Sequence, residues 1–284
     1  MNLAYVNGDL VPADRATVPL LDRGYLYGEG LFETLRSYRG RLFALKRHLA
    51  RLLSSAVELG LDLGVGEEEL ARACAITLQA NELSDAYVRL TVSQRCETPG
   101  IESRAAGKFT ITVMARELAA AGPGDAGTGV VVLEPGSAPP ASVARHKTLS
   151  FLAYVQARAA ARTRRAHDAL LVNAAGEITE ASAANVFFVL DGRLVTSPIE
   201  CGLLPGVTRA LVLELAHSLG IEAEERPLRP PDLKACSECF LTNSIIELRP
   251  VTRIDGVAVG TGGPGEFWSA LAAAYSSLTA KAGA

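Results

Sequence analysis

The sequence predicts an α/β protein made of two domains, each mixing strands with helices. Three observations carry this. Stretches that read as strands alternate with stretches of helical spacing in both halves of the chain. Between the halves, residues 119–129 (AAAGPGDAGTG) are small, Gly-rich and without hydrophobic period. The 284 residues suffice for two small domains at roughly 100–200 residues each. The expected organisation is an N-terminal domain over 1–118, a linker over 119–129 and a C-terminal domain over 130–284.

The elements follow in order. Leu3–Val6 is a short apolar run, Asn7-Gly8 is the dipeptide of a type I′ turn, and Leu10-Val11 resumes, so the chain opens on a hairpin. Gly30–Tyr38 reads as a strand, turned by Arg39-Gly40 into Leu42-Phe43. Leu45, Leu49, Leu52, Leu53, Val57 and Leu59 recur at mostly helical spacing, which predicts a helix over 45–60. Residues 67–79 predict another, ended by Asn81, and the β-branched runs 86–92 and 109–115 predict strands. After the linker, 130–133 starts a strand and the Ala/Arg-rich stretch 151–166 is helical. Strands are expected at 169–172, Asn185–Leu190 and 194–195, with turns at Asn173-Ala-Ala-Gly176 and Asp191-Gly192. Residues 208–219 form a helix closed by Gly220, 239–242 a strand, and 264–280 a last helix.

Composition narrows the function. Hydrophobic residues make up 49% and charged residues 21% of the chain, as in an ordinary globular protein, and about three quarters of its unfolded surface can be buried at this length. A net charge of −3 argues against a nucleic-acid partner, which needs a basic stripe. No apolar run reaches the roughly 18–20 residues of a membrane span. The start, Met1-Asn2-Leu3-Ala4-Tyr5, lacks the regions of a signal peptide, and five scattered cysteines (Cys74, Cys96, Cys201, Cys236, Cys239) fit reduced thiols. Both point to the cytoplasm. Cys236-Ser-Glu-Cys239 has CxxC spacing, with no second pair or histidine pair to complete a metal site.

Four places can carry chemistry. Lysine is rare, and Lys147, in Arg145-His146-Lys147, lies between an apolar strand and a helix, where α/β folds commonly place their sites. A Schiff-base lysine must be deprotonated at neutral pH, which needs partial burial or a neighbouring cation such as Arg145. Leu203-Leu-Pro-Gly-Val-Thr-Arg209 leads into a helix. A Gly there lets a ligand approach the backbone, and the free N–H groups and dipole of the helix start favour an anion. The plainer alternative is a Pro-Gly turn with Thr208 as N-cap. Thr242-Asn243-Ser244 stands at a strand end, and Glu180 lies in a polar turn feeding the apolar strand at Asn185; ordinary turn and solvated carboxylate are the alternatives.

Each signal is weak alone, but their order and spacing are distinctive. Glu180 follows Lys147 by about thirty residues, Pro-Gly-Val-Thr follows by about twenty-five more, and Thr-Asn-Ser by about thirty-five beyond that. The N-terminal half adds Asp22-Arg-Gly-Tyr-Leu-Tyr-Gly-Glu-Gly-Leu-Phe-Glu-Thr-Leu-Arg36 and Arg47-His-Leu-Ala-Arg51-Leu. Together these resemble the class IV aminotransferase family, the fold type IV pyridoxal-phosphate (PLP) enzymes, over roughly residues 2–256. The resemblance implies a small N-terminal α/β domain, a larger barrel-like C-terminal α/β domain that binds PLP, and a homodimer. It implies that Lys147 is the Schiff-base lysine and proton shuttle, and that Glu180 keeps the pyridine nitrogen protonated so that the ring acts as an electron sink. Arg51 matches the arginine that pairs with the phosphate. Gly206, Val207, Thr208, Asn243 and Ser244 match the phosphate-binding turns, and Leu204 the residue packed on the ring face.

The reaction rests on fewer residues. Ala86-Tyr87-Val88-Arg89 resembles the Tyr-x-Arg of branched-chain aminotransferases, which with Tyr27 and Phe32 would hold the substrate. Tyr87 and Arg89, two apart in a strand, point to one face. The implied activity is transfer of an amino group between an amino acid and a 2-oxo acid, by a ping-pong mechanism through pyridoxamine phosphate. The Tyr25–Arg36 stretch and Leu241-Thr-Asn-Ser-Ile245 also resemble aminodeoxychorismate lyases, which release pyruvate and 4-aminobenzoate. The chain departs from its relatives at Ser150 and Phe151, where Asn and Tyr are common, and at Asn243, where branched-chain enzymes carry Gly. Phe151 has no phenol for the cofactor's 3′-oxygen, so a less polar ring environment is expected.

Overall fold

The computed structural model describes residues 2–61, 63–102, 108–118 and 128–282. It divides into two compact units. The division is not linear in sequence: unit 1 is Met1–Ala119, His146–Phe151 and Thr279–Ala284, and unit 2 is Ala120–Arg145 and Leu152–Leu278. The expected linker, 119–129, lies outside the described residues up to 127, and Thr128 and Gly129 already belong to a strand.

Unit 1 contains β1 (Leu3–Val6), β2 (Asp9–Pro12), α1 (Arg23–Tyr27), β3 (Gly30–Tyr38), β4 (Arg41–Leu42), α2 (Leu45–Glu58), α3 (Glu67–Ala80), β5 (Ala86–Gln94) and β6 (Phe109–Glu117). The strands form one antiparallel sheet in the order β2-β1-β6-β5-β3-β4. Its tight turns obey local chemistry. Asn7 and Gly8 have φ of 49° and 111°, and Arg39 and Gly40 have 50° and 78°, the two positive values that a type I′ hairpin demands. The helix α1 was not legible as one. Asp22 caps it by accepting from the Gly24 and Tyr25 N–H groups.

Successive residues of β3 and β5 serve opposite faces. Leu31, Leu35, Val88, Leu90 and Val92 join Leu49, Leu52, Leu70, Ala73 and Leu78 of α2 and α3 in one core. Glu33 has the same parity as Leu31 and Leu35, and Phe32, Tyr87 and Arg89 have the other. The segment 146–151 is bound into this unit. Leu31 and Thr148 form a bridge, the Phe32 N–H donates to the Lys147 carbonyl at 2.9 Å, and the Leu149 N–H donates to Gly30 at 2.9 Å.

Unit 2 contains β7 (Thr128–Pro135), α4 (Ala141–Ala144), α5 (Leu152–Thr163), β8 (Asp168–Val172), β9 (Ile178–Ala181), β10 (Asn185–Leu190), β11 (Arg193–Thr196), α6 (Val207–Ser218), β12 (Ala223–Glu225), β13 (Cys236–Asn243), β14 (Glu247–Ile254), β15 (Val257–Ala258) and most of α7 (Glu266–Ala282). The sheet runs β12-β11-β10-β13-β14-β7-β8-β9, with β15 on β14. It curls: β9 returns to β10 through the Ala181–Ala184 bridge, so six strands follow one another around a half-barrel. Val130, Leu170, Ile178, Val186, Phe188, Leu241 and Val251 fill one side of it. On the other side α5 lays Ala157 and Ala161 against Val131, Ala169 and Leu171.

Two expectations are corrected in detail. The helix α6 starts at Val207 with Gly206 as its N-cap and no side-chain cap, so Thr208 is inside the helix and is not the N-cap. The strand β14 was not expected, since Glu247, Arg249 and Pro250 carry no strand signal; Pro250 nevertheless stands opposite Phe240 in the ladder. The CxxC cysteines sit in and beside the unit 2 core as free thiols, with Cys236 Sγ donating to the Glu238 carbonyl at 2.9 Å.

Candidate active site

The residues singled out in the sequence fall into one group in each unit. In unit 1, Lys147 is partly buried. Its neighbour His146 is buried, with Nδ1 at 3.0 Å from Ser55 Oγ on α2. The Lys147 ammonium lies 4.5 Å from the centroid of the Phe32 ring. The Arg89 guanidinium lies 3.7 Å from the same centroid, so Phe32 brings together two of the expected site residues. Phe151 packs edge-on against Phe32, with centroids 5.6 Å apart and planes at 81°. Tyr87 shares a face with Arg89, and its ring is covered by Arg116 at 4.7 Å. Tyr27 is engaged elsewhere: its hydroxyl accepts from the Gly100 N–H at 3.1 Å and its ring lies under Arg23 at 4.9 Å.

Arg51 is held by a residue that sequence reasoning passed over. Its Nε and Nη2 donate to the two oxygens of Glu33 at 2.9 and 2.6 Å, the bidentate geometry that favours arginine over lysine. His48 Nδ1 adds a third bond to Glu33 at 2.7 Å. A carboxylate only accepts, so Nδ1 carries the hydrogen. Burial pushes the Glu33 carboxyl up, but the Arg51 charge and the bonds from His48 and Arg51 outweigh it and hold the group at about 2. Burial lowers His48, only partly offset by Glu33, so the imidazole is neutral near pH 7. The signal was present in the sequence: a glutamate at a core-facing parity in Leu31-Phe-Glu-Thr-Leu35, and His48 and Arg51 three apart on one helix face.

In unit 2, Glu180 is 5% exposed. Its Oε1 accepts from the Tyr154 hydroxyl at 3.2 Å, and its Oε2 from Asn185 Nδ2 at 3.3 Å and the Leu204 N–H at 3.2 Å. Asn185 Nδ2 also donates to the Leu204 carbonyl at 2.9 Å. The carboxylate is thus tied to the turn that opens α6. That turn needs its glycine: a Cβ on Gly206 would come within 1.9 Å of Asn185 Oδ1. Val207 and Thr208 are buried in the first turn of α6. Asn243 is committed to its own turn, where Oδ1 accepts from the Ile245 and Ile246 N–H groups at 2.8 Å and Nδ2 donates to Ala183 at 2.8 Å. Ser244 follows it, partly buried.

The chain is similar to known proteins along most of its length. The profile of the family Amino-transferase class IV matches residues 30–254. The chain belongs to the class IV aminotransferases. A Methanocaldococcus jannaschii protein assigned as a branched-chain-amino-acid aminotransferase is 34% identical, covering 98% of this chain and 97% of its own. A D-alanine aminotransferase of Bacillus licheniformis is 33% identical, covering 91% and 90%. The solved branched-chain aminotransferase of the thermophilic archaeon Thermoproteus uzoniensis, with norvaline, is 28% identical, with a TM-score of 0.90 over 98% of this chain and 94% of that one. Class IV aminotransferases are PLP-dependent transaminases of fold type IV, and the curled half-barrel of unit 2 has that architecture.

The unit 2 residues of this class IV aminotransferase fit the cofactor on their own geometry. Glu180 offers a fixed, buried carboxylate to a ring nitrogen, and the uncapped start of α6 offers N–H groups to a phosphate. Thr242 stands directly across the ladder from Asn185. Its hydroxyl is buried without a partner among the described residues, as expected of a wall built for a polar ligand.

Proposed function

We propose that the protein is a PLP-dependent aminotransferase that moves an amino group between an amino acid and a 2-oxo acid by a ping-pong mechanism, with Lys147 bound to the cofactor as a Schiff base. The observation that carries the reading is Glu180, a buried carboxylate whose Oε2 accepts from the N–H of Leu204 in the turn that starts α6. One turn thereby serves both polar ends of the cofactor, a basic ring nitrogen and a phosphate. When bound, PLP supplies an electron sink that makes the substrate Cα–H acidic, and it carries the amino group between the half-reactions.

The chain's own residues do the rest. Glu180 holds a proton on the ring nitrogen. The Val207 N–H, the Thr208 and Ser244 hydroxyls and the Arg51 guanidinium bind the phosphate, and Gly206 and the Asn243 turn let the backbone approach it. Leu204 packs on the ring face. Lys147 Nζ takes the proton from the substrate Cα and returns it when product forms. Arg89, with Tyr87, draws the substrate carboxylate, and Phe32 holds Arg89 and Lys147 in place through its ring. The resemblance to the family supports a homodimer as the working form, and five free, buried cysteines suit a reducing cytoplasm. Among the described residues no helix is long and apolar enough to cross a membrane.

The test is an absorbance assay on PLP-loaded protein with L-leucine, D-alanine or aminodeoxychorismate, each added without a 2-oxo acid. Bleaching of the lysine-bound cofactor band by one amino acid is the expected result, and it identifies the preferred hand. Pyruvate release from aminodeoxychorismate with no bleaching by either amino acid would replace the reading with a lyase. Lys147→Ala should lose the band and turnover together; normal transamination by that variant would overturn the role of Lys147.

A further inference from the structure

Tyr154 has no place in the roles above, yet its hydroxyl reaches Glu180. Its side chain packs against the cluster formed by Val131, Ala157, Ala161, Ala169 and Leu171. The hydroxyl ends 3.2 Å from Glu180 Oε1. Burial pushes the phenol well above its usual range, and the adjoining carboxylate pushes it the same way. The hydroxyl therefore stays protonated and acts as a donor. Glu180 is gripped from two ends, with Tyr154 on Oε1 and with Asn185 and the Leu204 N–H on Oε2.

Resting on the reading of Glu180 as the partner of the ring nitrogen, we propose that Tyr154 is a positioning residue that keeps the Glu180 carboxylate weakly basic, so that the shared proton stays on the nitrogen. A hydrogen bond donated to a carboxylate stabilises its charged form. Removing that bond raises the carboxylate's proton affinity, and the proton moves from nitrogen toward oxygen. The ring then withdraws electrons less strongly, although nothing that touches substrate has changed. Tyr154 acts through Glu180 and leaves the covalent chemistry to Lys147.

The test uses holoenzyme reconstituted with PLP labelled with 15N at the ring nitrogen. Wild type should show the 15N shift of a protonated pyridine, and Tyr154→Phe a shift displaced toward the neutral value, with kcat falling more than KM rises. Melting of the apoenzyme, measured in parallel, reads whether Tyr154→Phe has kept its packing. A protein carrying 3-fluorotyrosine at 154, a stronger donor of similar size, should keep the protonated shift. Tyr154→Phe with the wild-type 15N shift would overturn the proposal, as would a fluorinated protein displaced like Tyr154→Phe, since packing would then be the cause. A neutral 15N shift in wild type is a different failure, because it removes Glu180 as the nitrogen's partner.

Discussion

Replacing Glu33 with alanine removes the carboxylate that two side chains of α2, Arg51 and His48, share. The side chain of Glu33 is 0% exposed, that of His48 3% and that of Arg51 10%, so water cannot take over. The size of the effect follows from two directions. Glu33 titrates at about 2 against an ordinary 4.5; at 1.36 kcal/mol per unit that is about 3 kcal/mol of stability. Breaking one side of a buried ion pair typically costs about 3–5 kcal/mol, because a desolvated charge is left behind. At ~2–4 °C per kcal/mol, the apoenzyme of Glu33→Ala should melt about 10 °C below wild type at pH 7.

The same pair dictates a pH dependence. The folded value of Glu33 lies below the unfolded one, so its stabilisation is fully present above about pH 4.5 and is lost as pH falls through about 2. His48, lowered below 6.5 in the fold, takes its proton first in the unfolded chain, so its contribution also declines as pH drops below that value. Scanning calorimetry of wild type and Glu33→Ala from pH 8 downward checks this: the gap in melting temperature should persist from neutrality to about pH 4.5 and should close as pH falls toward 2. A gap under about 3 °C at pH 7, or one that does not change with pH, would refute the ion-pair reasoning.

Two further outcomes follow from the packing. Gly206→Ala drives a methyl into Asn185 Oδ1; overpacking of this kind costs about 1–3 kcal/mol, and a PLP titration should show affinity weakened by about tenfold, with unchanged affinity counting against the cofactor turn. All five cysteines are free and buried, and burial pushes Cys74 and Cys201 up to about 12 and Cys236 to about 11; a thiol reagent at pH 8 should react slowly with native protein and count five thiols after denaturation, whereas fast native reaction would contradict the burial.

Elements fixed by short-range chemistry were legible in the sequence. Asn7-Gly8 forces a two-residue turn by itself, and the Gly30–Tyr38 strand was bounded correctly because its pattern and its Arg39-Gly40 turn agree. The strands that escaped depend on their neighbours. In β14, Glu247, Arg249 and Pro250 carry no strand signal, and the segment is extended because β13 and β7 flank it. In β9, Ile178–Ala181 read as a polar turn because Glu180 looks like a solvated carboxylate until Tyr154, Asn185 and Leu204 surround it. Side-chain identity singled out Lys147, Glu180 and the α6 turn as candidates. It could not reveal what grips them, because each partner lies far off in sequence or, like Tyr154, looks like an ordinary core residue.

Lys147 shows why that grip matters. By position it belongs to the C-terminal part of the chain, and a lysine flanked by His146 and Thr148 has no feature that marks it as part of a sheet. In the fold, the backbone of 147–149 bonds to the Gly30–Phe32 end of β3 on the side that β5 leaves open. A hydrogen-bonded ladder allows far less freedom than a surface loop, and it sets the amine against the Phe32 ring, where Arg89 already sits. A reacting amine must stay within a fraction of an ångström of its target through a two-stage cycle. Under the role proposed for Lys147, strand pairing to β3 would provide that constancy, and His146 beside it is anchored to Ser55.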